Sequence, residues 1–458
     1  MISASLPRRP RLLILAYACS PLRGSESGVG WNRAVGALKD FDTWVICEEN
    51  EFRGEVESYL ATNGPIPGLR FVYVPMPRWQ WRLGQIANAL WYIVLKRWHR
   101  RAFHVAEQLH KQIGFDLVHQ LTFCGYREPG YLWKLDAPFV WGPVGGTQNY
   151  PWRFLRMAGL SGATFEIARA AVNRFQLRFG RRVRKAAKKA SAVVAATRQI
   201  RDDLAKYLHV PSEVISDVGV SHIEPFPRSH KRAERPLRIL WSGILQPRKA
   251  LPLLIEAVAK LPPRVACEVR VLGRGARERA WRKLAERRGV DADFQWLGWL
   301  PHAEALQQYA WADVFVFTSL RDTTGTVLSE ALAAGLPVIC LDHQGGHDVI
   351  TEECGMKIPS TAPRETIDKL SEAIVQLAEN PELRERLSRG ALRRATDFLW
   401  SRQGEMMAAV YRQVLENNSH EMRFYDGEPS LGSLEGRSPH WGELWAASNS
   451  SKSQRSKS

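Results

Sequence analysis

The stretch "VFVFTSLRDTTGTVLSEALAAGLPVI", Val314 to Ile339, decides how this chain folds. An apolar, β-branched run, DVFVFTS (313–319), reads as a buried strand, and SLRDTT reads as a turn. A helix is expected to begin near Thr324 or Gly325, because Val327, Leu328, Ala331 and Leu332 then fall on one stripe. A second apolar run, LPVICLD (336–342), follows. Strand, helix and strand in succession are a βαβ unit, which implies a parallel sheet. Two acids, Asp322 and Glu330, stand eight positions apart around the helix start, with no other charge between them.

The same alternation runs outward in both directions. Strand-like runs occur at 11–18, 43–48, 69–75, 115–120, 138–143, 191–197 and 213–218, then at 237–243, 267–273, 294–298, 313–319, 336–342 and 355–359. Between them lie helical patterns such as PLLIEAVAKL (252–261), with Leu253, Leu254, Ala257, Val258 and Leu261 on one face. The series breaks once, at SHIEPFPRSHKRAERP (221–236), which has the composition of a linker. The fold class is therefore α/β, with two doubly wound, Rossmann-like domains. Their expected extents are 1–222 and 237–395, joined by a linker at 223–236. A C-terminal helix is expected over 396–416, centred on QGEMMAAVYRQVLE (403–416), and able to pack on either domain. From Asn417 the Ser-, Gly- and Glu-rich tail to 458 is expected to be disordered, with Trp441 and Trp445 as isolated anchors.

Composition narrows the class. At 458 residues, with 45% hydrophobic and 24% charged residues, the chain is an ordinary globular protein of two or three domains. Its six cysteines are scattered without a CxxC pair, which argues against a zinc ribbon or disulfide scaffold and for reduced thiols in the cytoplasm. The start, MISASLPRRPRLLILAYACSP, imitates a signal peptide, but its apolar run is short and leads into a glycine loop, as a first strand of a parallel sheet would. No stretch has the ~20 apolar residues of a membrane span.

The net charge of +17 is concentrated. Residues 151–190 hold eleven Lys/Arg and one acid, Glu166; residues 78–101 hold six Lys/Arg and no acid. In 78–101 the arginines alternate with Trp79, Trp81, Trp91 and Trp98, and 168–190 is a basic amphipathic pattern. Tryptophan with Lys/Arg suits an anionic membrane surface, so these two stretches are expected to touch the inner face of the cell membrane. The plainer expectation is that the tryptophans fill the first domain's core.

In open parallel sheets ligands bind beyond the carboxyl ends of the strands, where helix N-termini favour phosphate. The loops there are PLRGSESGVGW (21–31), GPVGGTQ (142–148), GILQPRKAL (243–251) and LGRGARER (272–279). Gly24, Gly28 and Gly30 would admit a close ligand, although their spacing is not the dinucleotide fingerprint. Lys249 sits at a helix start against the dipole, a conflict that a diphosphate would remove. Spacing alone leaves Asp322 and Glu330 open between ligand contacts and ordinary first-turn acids.

From Leu237 to Pro359 the chain resembles the retaining family-4 glycosyltransferases of GT-B architecture, in which two Rossmann-like domains face a cleft. "WSGILQPRKALPLLIEAV", "VLGRGARERA", "FQWLGWLP", "ADVFVFTSLRDTTGTVLSEALAAGLPVI" and "GGHDVI" stand in that family's order, and Asp322-x7-Glu330 corresponds to its paired-acid motif. The resemblance implies that Glu330 accepts hydrogen bonds from nucleotide ribose hydroxyls and that Asp322 contacts the transferred sugar. Thr323, Thr324, Gly325 and Thr326 would face the diphosphate, Lys249 would neutralise it, Gly24 would lie near it, and His119 would lie near the reacting sugar. Asp348 would match a further acid near that sugar. Two positions depart from the family: Asp322 replaces a glutamate, and Ile244 stands where an arginine is usual, so that either the diphosphate is less well neutralised or Arg248 or Arg274 substitutes.

The implied activity is a metal-independent, retaining transfer of a sugar from a nucleotide-diphosphate donor to a glycan or lipid-linked acceptor. The nucleotide sugar would be a substrate, with no cofactor. Competing readings are a GT-B sugar-nucleotide epimerase and a basic nucleic-acid-binding protein; the charges lie away from the glycine loops and no RNA-binding signature occurs, which argues against nucleic acid. Asp291 and Asp293 form a D-x-D, but before a strand and so at the wrong end of a sheet. His343 and His347 are four apart, yet in a glycine-broken stretch ill suited to a zinc site.

Overall fold

The computed structural model describes residues 8–225 and 236–425. All thirteen apolar runs are strands. The first seven, β1 (Arg11–Ala16), β2 (Asp42–Glu48), β3 (Leu69–Val74), β4 (Leu117–Thr122), β5 (Phe139–Val144), β6 (Ala192–Ala195) and β7 (Glu213–Val214), form one sheet. The other six, β8 (Leu237–Ser242), β9 (Cys267–Leu272), β10 (Phe294–Gly298), β11 (Val314–Phe317), β12 (Val338–Leu341) and β13 (Gly355–Ile358), form a second.

The sheet orders are β3-β2-β1-β4-β5-β6-β7 and β10-β9-β8-β11-β12-β13, and the paired strands run parallel. In each, the direction of winding reverses beside the first strand, between β1 and β4 and between β8 and β11. Loops leaving those strand ends splay apart and open a crevice. The four loops at these two switch points, after β1, β4, β8 and β11, position the site described below.

Alternate residues of the central strands face opposite layers, as a two-sided sheet requires. Leu13 and Leu15 meet Trp98 and Phe115 on one side, while Leu12 and Ile14 meet Val29 and Ala34 on the other. The last helix, Trp400–Tyr425, completes that second layer with Met407, Val410, Tyr411 and Val414. Each such large buried side chain contributes about 1.5–3 kcal/mol. The C-terminal helix is thus part of the first sheet's core, reached by a crossing at Val220, which pairs with Leu399. In the other direction Tyr150, Phe154 and Ala158 pack into the second sheet's core with Trp241 and Leu251. Both sheets belong to one compact unit.

The disordered tail expected from Asn417 is corrected: the helix continues to Tyr425. Most of the expected linker, 226–235, and residues 426–458, including Trp441 and Trp445, lie outside the described residues.

Candidate active site at the seam of the two sheets

On the second-sheet side, the loop after β8 ends in a short turn, Pro247–Lys249, and the next helix starts at Leu251. The Lys249 ammonium sits 5.2 Å from the centre of the Phe317 ring and pairs with Asp322 Oδ2. Arg248 Nη1 lies 3.5 Å from Asp322 Oδ1, and the Ser319 hydroxyl 3.4 Å from Oδ2. The Asp322 backbone N–H donates to Gln344 Oε1 at 2.8 Å. Burial pushes the Asp322 carboxyl up, but Lys249 and Arg248 more than offset it and its pKa is lowered. Burial pulls Lys249 down, and Asp322 offsets that only in part. The result is an ionised pair among few water contacts, where fixed charges act more strongly than at a surface.

The helix after β11 spans Thr326–Ala333, with Gly325 before it at φ 88°. A side chain is strained in that conformation, so glycine suits this position. Glu330 accepts a hydrogen bond from the Tyr309 hydroxyl at 2.7 Å, which fixes its carboxylate, and burial raises its pKa. Glu330, Thr326 and His302 line a cavity of about 340 Å³ together with Gly24, Asn32 and Val218 from the first half of the chain. Lys249 is not among the lining residues; it is paired with Asp322.

The first-sheet side centres on the loop after β1. Gly24 precedes the helix Ser25–Ala37, and a side chain there would meet nothing within 4 Å. Gly30 is different: a Cβ would collide with the Ala18 carbonyl oxygen, so this glycine serves helix-to-loop packing rather than a ligand. Glu26 Oε1 accepts the Cys124 N–H at 2.7 Å. Asp217, just past β7, accepts the Thr324 hydroxyl, a contact that joins the two halves of the seam. Burial pushes Glu26 up to about 7 and Asp217 up to about 6. Both line a second cavity of about 210 Å³, bounded by Trp91, Tyr92, Phe123 and Thr323. The two cavities therefore share the 24–26 turn, the 217–218 segment and the 323–326 loop.

Three comparisons bear on this geometry. Residues 222–394 match the family model "Glycosyl transferases group 1". That stretch is similar to a group 1 glycosyl transferase domain. A D-inositol 3-phosphate glycosyltransferase of Corynebacterium glutamicum is 29% identical over 219 residues, 45% of this chain and 50% of that protein. An alpha-D-kanosaminyltransferase of Streptomyces kanamyceticus is 26% identical over 246 residues, 50% of this chain and 62% of that protein. The chain thus spans about half the length of the curated relatives it matches. Its fold is GT-B: HepE of Anabaena, solved with UDP, aligns over 88% of this chain and 100% of its own with a TM-score of 0.56 and 15% identity.

Within the matched stretch, several residues stand elsewhere than expected. Arg248 stands 3.5 Å from Asp322. Arg274 is exposed beside Gly298 and lines none of the cavities described above. Asp348 pairs with Arg198 at 2.6 Å and bridges to the first half of the chain instead of facing a sugar. The stretch around His343 and His347 is a short helix, Gln344–Val349, not a broken loop, and His347 Nδ1 sits 2.6 Å from Asp342. Asp291 and Asp293 occupy a short turn immediately before β10.

His119 is the principal correction. It is fully buried in β4, its Nε2 lies 2.6 Å from the Gly142 carbonyl oxygen, and its Nδ1 lies 2.6 Å from the Tyr411 hydroxyl. Burial lowers its pKa to about 4. Both ring nitrogens are engaged with protein groups, so His119 ties the C-terminal helix to the sheet and does not reach the cleft. Sequence reasoning missed Glu26 and Asp217. Glu26 lies two positions after Gly24, and Asp217 lies in the strand-like run at 213–218; both carried a signal only as acids at the ligand end of a strand.

The two halves are held by further contacts: Arg321 embraces Glu166 through Nε at 2.9 Å and Nη2 at 2.9 Å, and Gln344 Nε2 donates to the Asn149 carbonyl at 2.8 Å. Gly345 lets the Gln344–Val349 helix approach Thr323, whose carbonyl oxygen would collide with a Cβ.

Proposed function

We propose that the protein is a retaining, family-4 glycosyltransferase that moves a sugar from a nucleotide-diphosphate donor to a glycan or lipid-linked acceptor. The observation that carries this reading is the meeting of Gly24, Thr326 and Glu330 around one cavity; the Lys249–Asp322 pair, on the segment that leads to Thr326, supports it. In the proposed pose Glu330, held by Tyr309, accepts hydrogen bonds from ribose hydroxyls. The N–H groups of Thr324, Gly325 and Thr326 and the Thr326 hydroxyl are the donors for the diphosphate. Asp322 contacts the transferred sugar.

In the proposed step, an acceptor hydroxyl oxygen forms a bond to the sugar C1 while the C1–O bond to the diphosphate breaks on the same face. The bonding electrons leave with the diphosphate, which takes the acceptor's proton. Charge develops on the leaving oxygen, and the fixed cations Lys249 and Arg248 stabilise it without a metal or cofactor. The UDP in the HepE structure makes UDP-sugars the first donors to test. Differential scanning fluorimetry with UDP-, GDP- and ADP-sugars should give one family that stabilises the wild type and fails to stabilise Glu330→Ala; stabilisation by none refutes the reading.

The basic stretches fit action on the inner, cytoplasmic face of the cell membrane. Among the described residues no helix is long and apolar enough to cross a bilayer. The helix Gly159–Phe179 turns Glu166, Asn173 and Leu177 inward and leaves Leu160, Ile167, Phe175 and Phe179 exposed. The stretch's single acid is thereby hidden, while Arg174, Arg178, Lys185 and Lys188 are exposed. In 78–101 the tryptophans divide: Trp98 is core, as the plainer expectation had it, and Trp79 and Trp81 are exposed. Each exposed basic residue contributes about 1 kcal/mol at an anionic surface. Vesicles with anionic lipid should co-sediment the protein at low salt and release the Phe175→Ser, Phe179→Ser variant; no sedimentation of the wild type excludes the membrane role.

A further inference from the structure

The 210 Å³ cavity is chemically unlike its neighbour. None of its lining residues is Lys, Arg or His. Its walls are the rings of Trp91, Tyr92 and Phe123, and its polar groups are carboxyls and a threonine. Phe123 and Trp91 are fixed edge to face, 5.8 Å between centroids, and Tyr17 braces both, at 5.1 and 5.7 Å. Of the acids, Glu128 is already paired with His99 at 3.3 Å and with Arg182. Glu26 and Asp217 are half-buried and face the cavity.

A cavity without a cation and with carboxyl groups disfavours an anion such as a phosphate. Glu26 already accepts the Cys124 N–H and Asp217 the Thr324 hydroxyl, but a purely apolar ligand would desolvate their remaining oxygens, at a cost. The composition suits a neutral ligand with apolar faces and a rim of hydroxyls. Thr323 belongs to this wall and is the chain neighbour of Asp322, so a ligand here lies beside the proposed sugar-transfer point.

We propose that this cavity receives a pyranose ring of the acceptor, with Trp91 and Tyr92 against its apolar faces and Glu26 and Asp217 accepting hydrogen bonds from its hydroxyls. This rests on the glycosyltransferase reading and assigns the acceptor end of that site. Carboxyls raised toward neutrality by burial, as Glu26 and Asp217 are, can exchange accepting and donating roles with hydroxyls. The acceptor's reacting end is then a sugar rather than a bare lipid phosphate.

Saturation-transfer difference NMR on the full chain tests this with methyl gluco-, galacto- and mannopyranosides and with n-octyl glucopyranoside below micelle concentration. At least one methyl glycoside should show saturation of its ring protons. The signal should fall at least threefold in Glu26→Gln, Asp217→Asn and Trp91→Ala and stay unchanged in Trp299→Ala, an exposed position that lines neither cavity. Equal ring signals from the methyl and octyl forms support a free glycan source; added saturation of the octyl chain supports a lipid-linked one. Absence of ring saturation from every glycoside, or equal signals in wild type and the shape-preserving Glu26→Gln, overturns the proposal. Stabilisation by nucleoside diphosphates, measured on the same variants, reports the donor reading separately: if it persists while ring saturation is absent, the acceptor assignment alone fails.

Discussion

Asp322 and Glu26 stand on opposite sides of one seam, and burial acts on both in the same direction, yet their carboxyls end in opposite states. Asp322 is held below the usual range because Lys249 and Arg248 face it. Glu26 rises to about 7 because burial dominates and Asp217 adds a like charge, with only the Cys124 hydrogen bond opposing. The contrast separates tasks. A side rich in fixed cations suits a departing diphosphate, and a side of near-neutral acids and aromatic rings suits hydroxyls. Environments that push paired carboxyls apart are a recurrent way of assigning different roles to one residue type.

The sharpest way to break this contrast is to remove the cation. Lys249→Ala should lower turnover about 10²–10³-fold. It should also lower the melting temperature, because Asp322 keeps its charge in a buried place with only Arg248 nearby. Lys249→Met with Asp322→Asn should recover most of that melting temperature and none of the turnover. Recovery of turnover in the double variant would show that Lys249 serves only to hold Asp322.

The acid side is tested by pH. A carboxyl raised in the folded state contributes stability below its unfolded value of about 4.5 and loses it as pH rises through about 7. Wild type should therefore lose stability relative to Glu26→Gln between pH 5 and 8, read from urea denaturation at each pH. The groups facing Glu26 are Asp217 and Cys124, whose shifts are also upward, so neither reverses the sign. A difference that does not change with pH would contradict the assignment.

A smaller effect is expected from Tyr309→Phe. It removes the 2.7 Å hydrogen bond that orients Glu330 and should weaken nucleotide-sugar binding by about 1 kcal/mol, roughly fivefold, measured by calorimetry. The smallest is expected for the turnover of His119→Gln. Its residue holds Tyr411 and the Gly142 carbonyl, so the melting temperature should fall while kcat of the folded enzyme stays within about twofold.

The sequence made the sheets legible because every strand is an apolar run bounded by turn residues, and the βαβ order leaves few topologies. It also placed Lys249, Asp322 and Glu330 at strand ends, and the structure brings Glu330 to the cavity and pairs the other two. What it did not contain is side-chain direction. The run 115–120 puts His119 at a strand end, but the strand runs on to Thr122, so His119 lies mid-strand and meets the C-terminal helix through Tyr411, nearly three hundred residues away. Asp348 meets Arg198 only when the halves close. Glu26 resembled any acid in a helix's first turn until the loop after β4 folded over it.

The most direct test of the central claim is calorimetric titration of UDP, GDP and ADP into wild type, Lys249→Ala and Glu330→Ala. The account predicts that one nucleoside diphosphate binds with a stoichiometry near one and that each substitution weakens it at least tenfold. Binding of none of the three, or affinities unchanged by both substitutions, would contradict a diphosphate site at this seam.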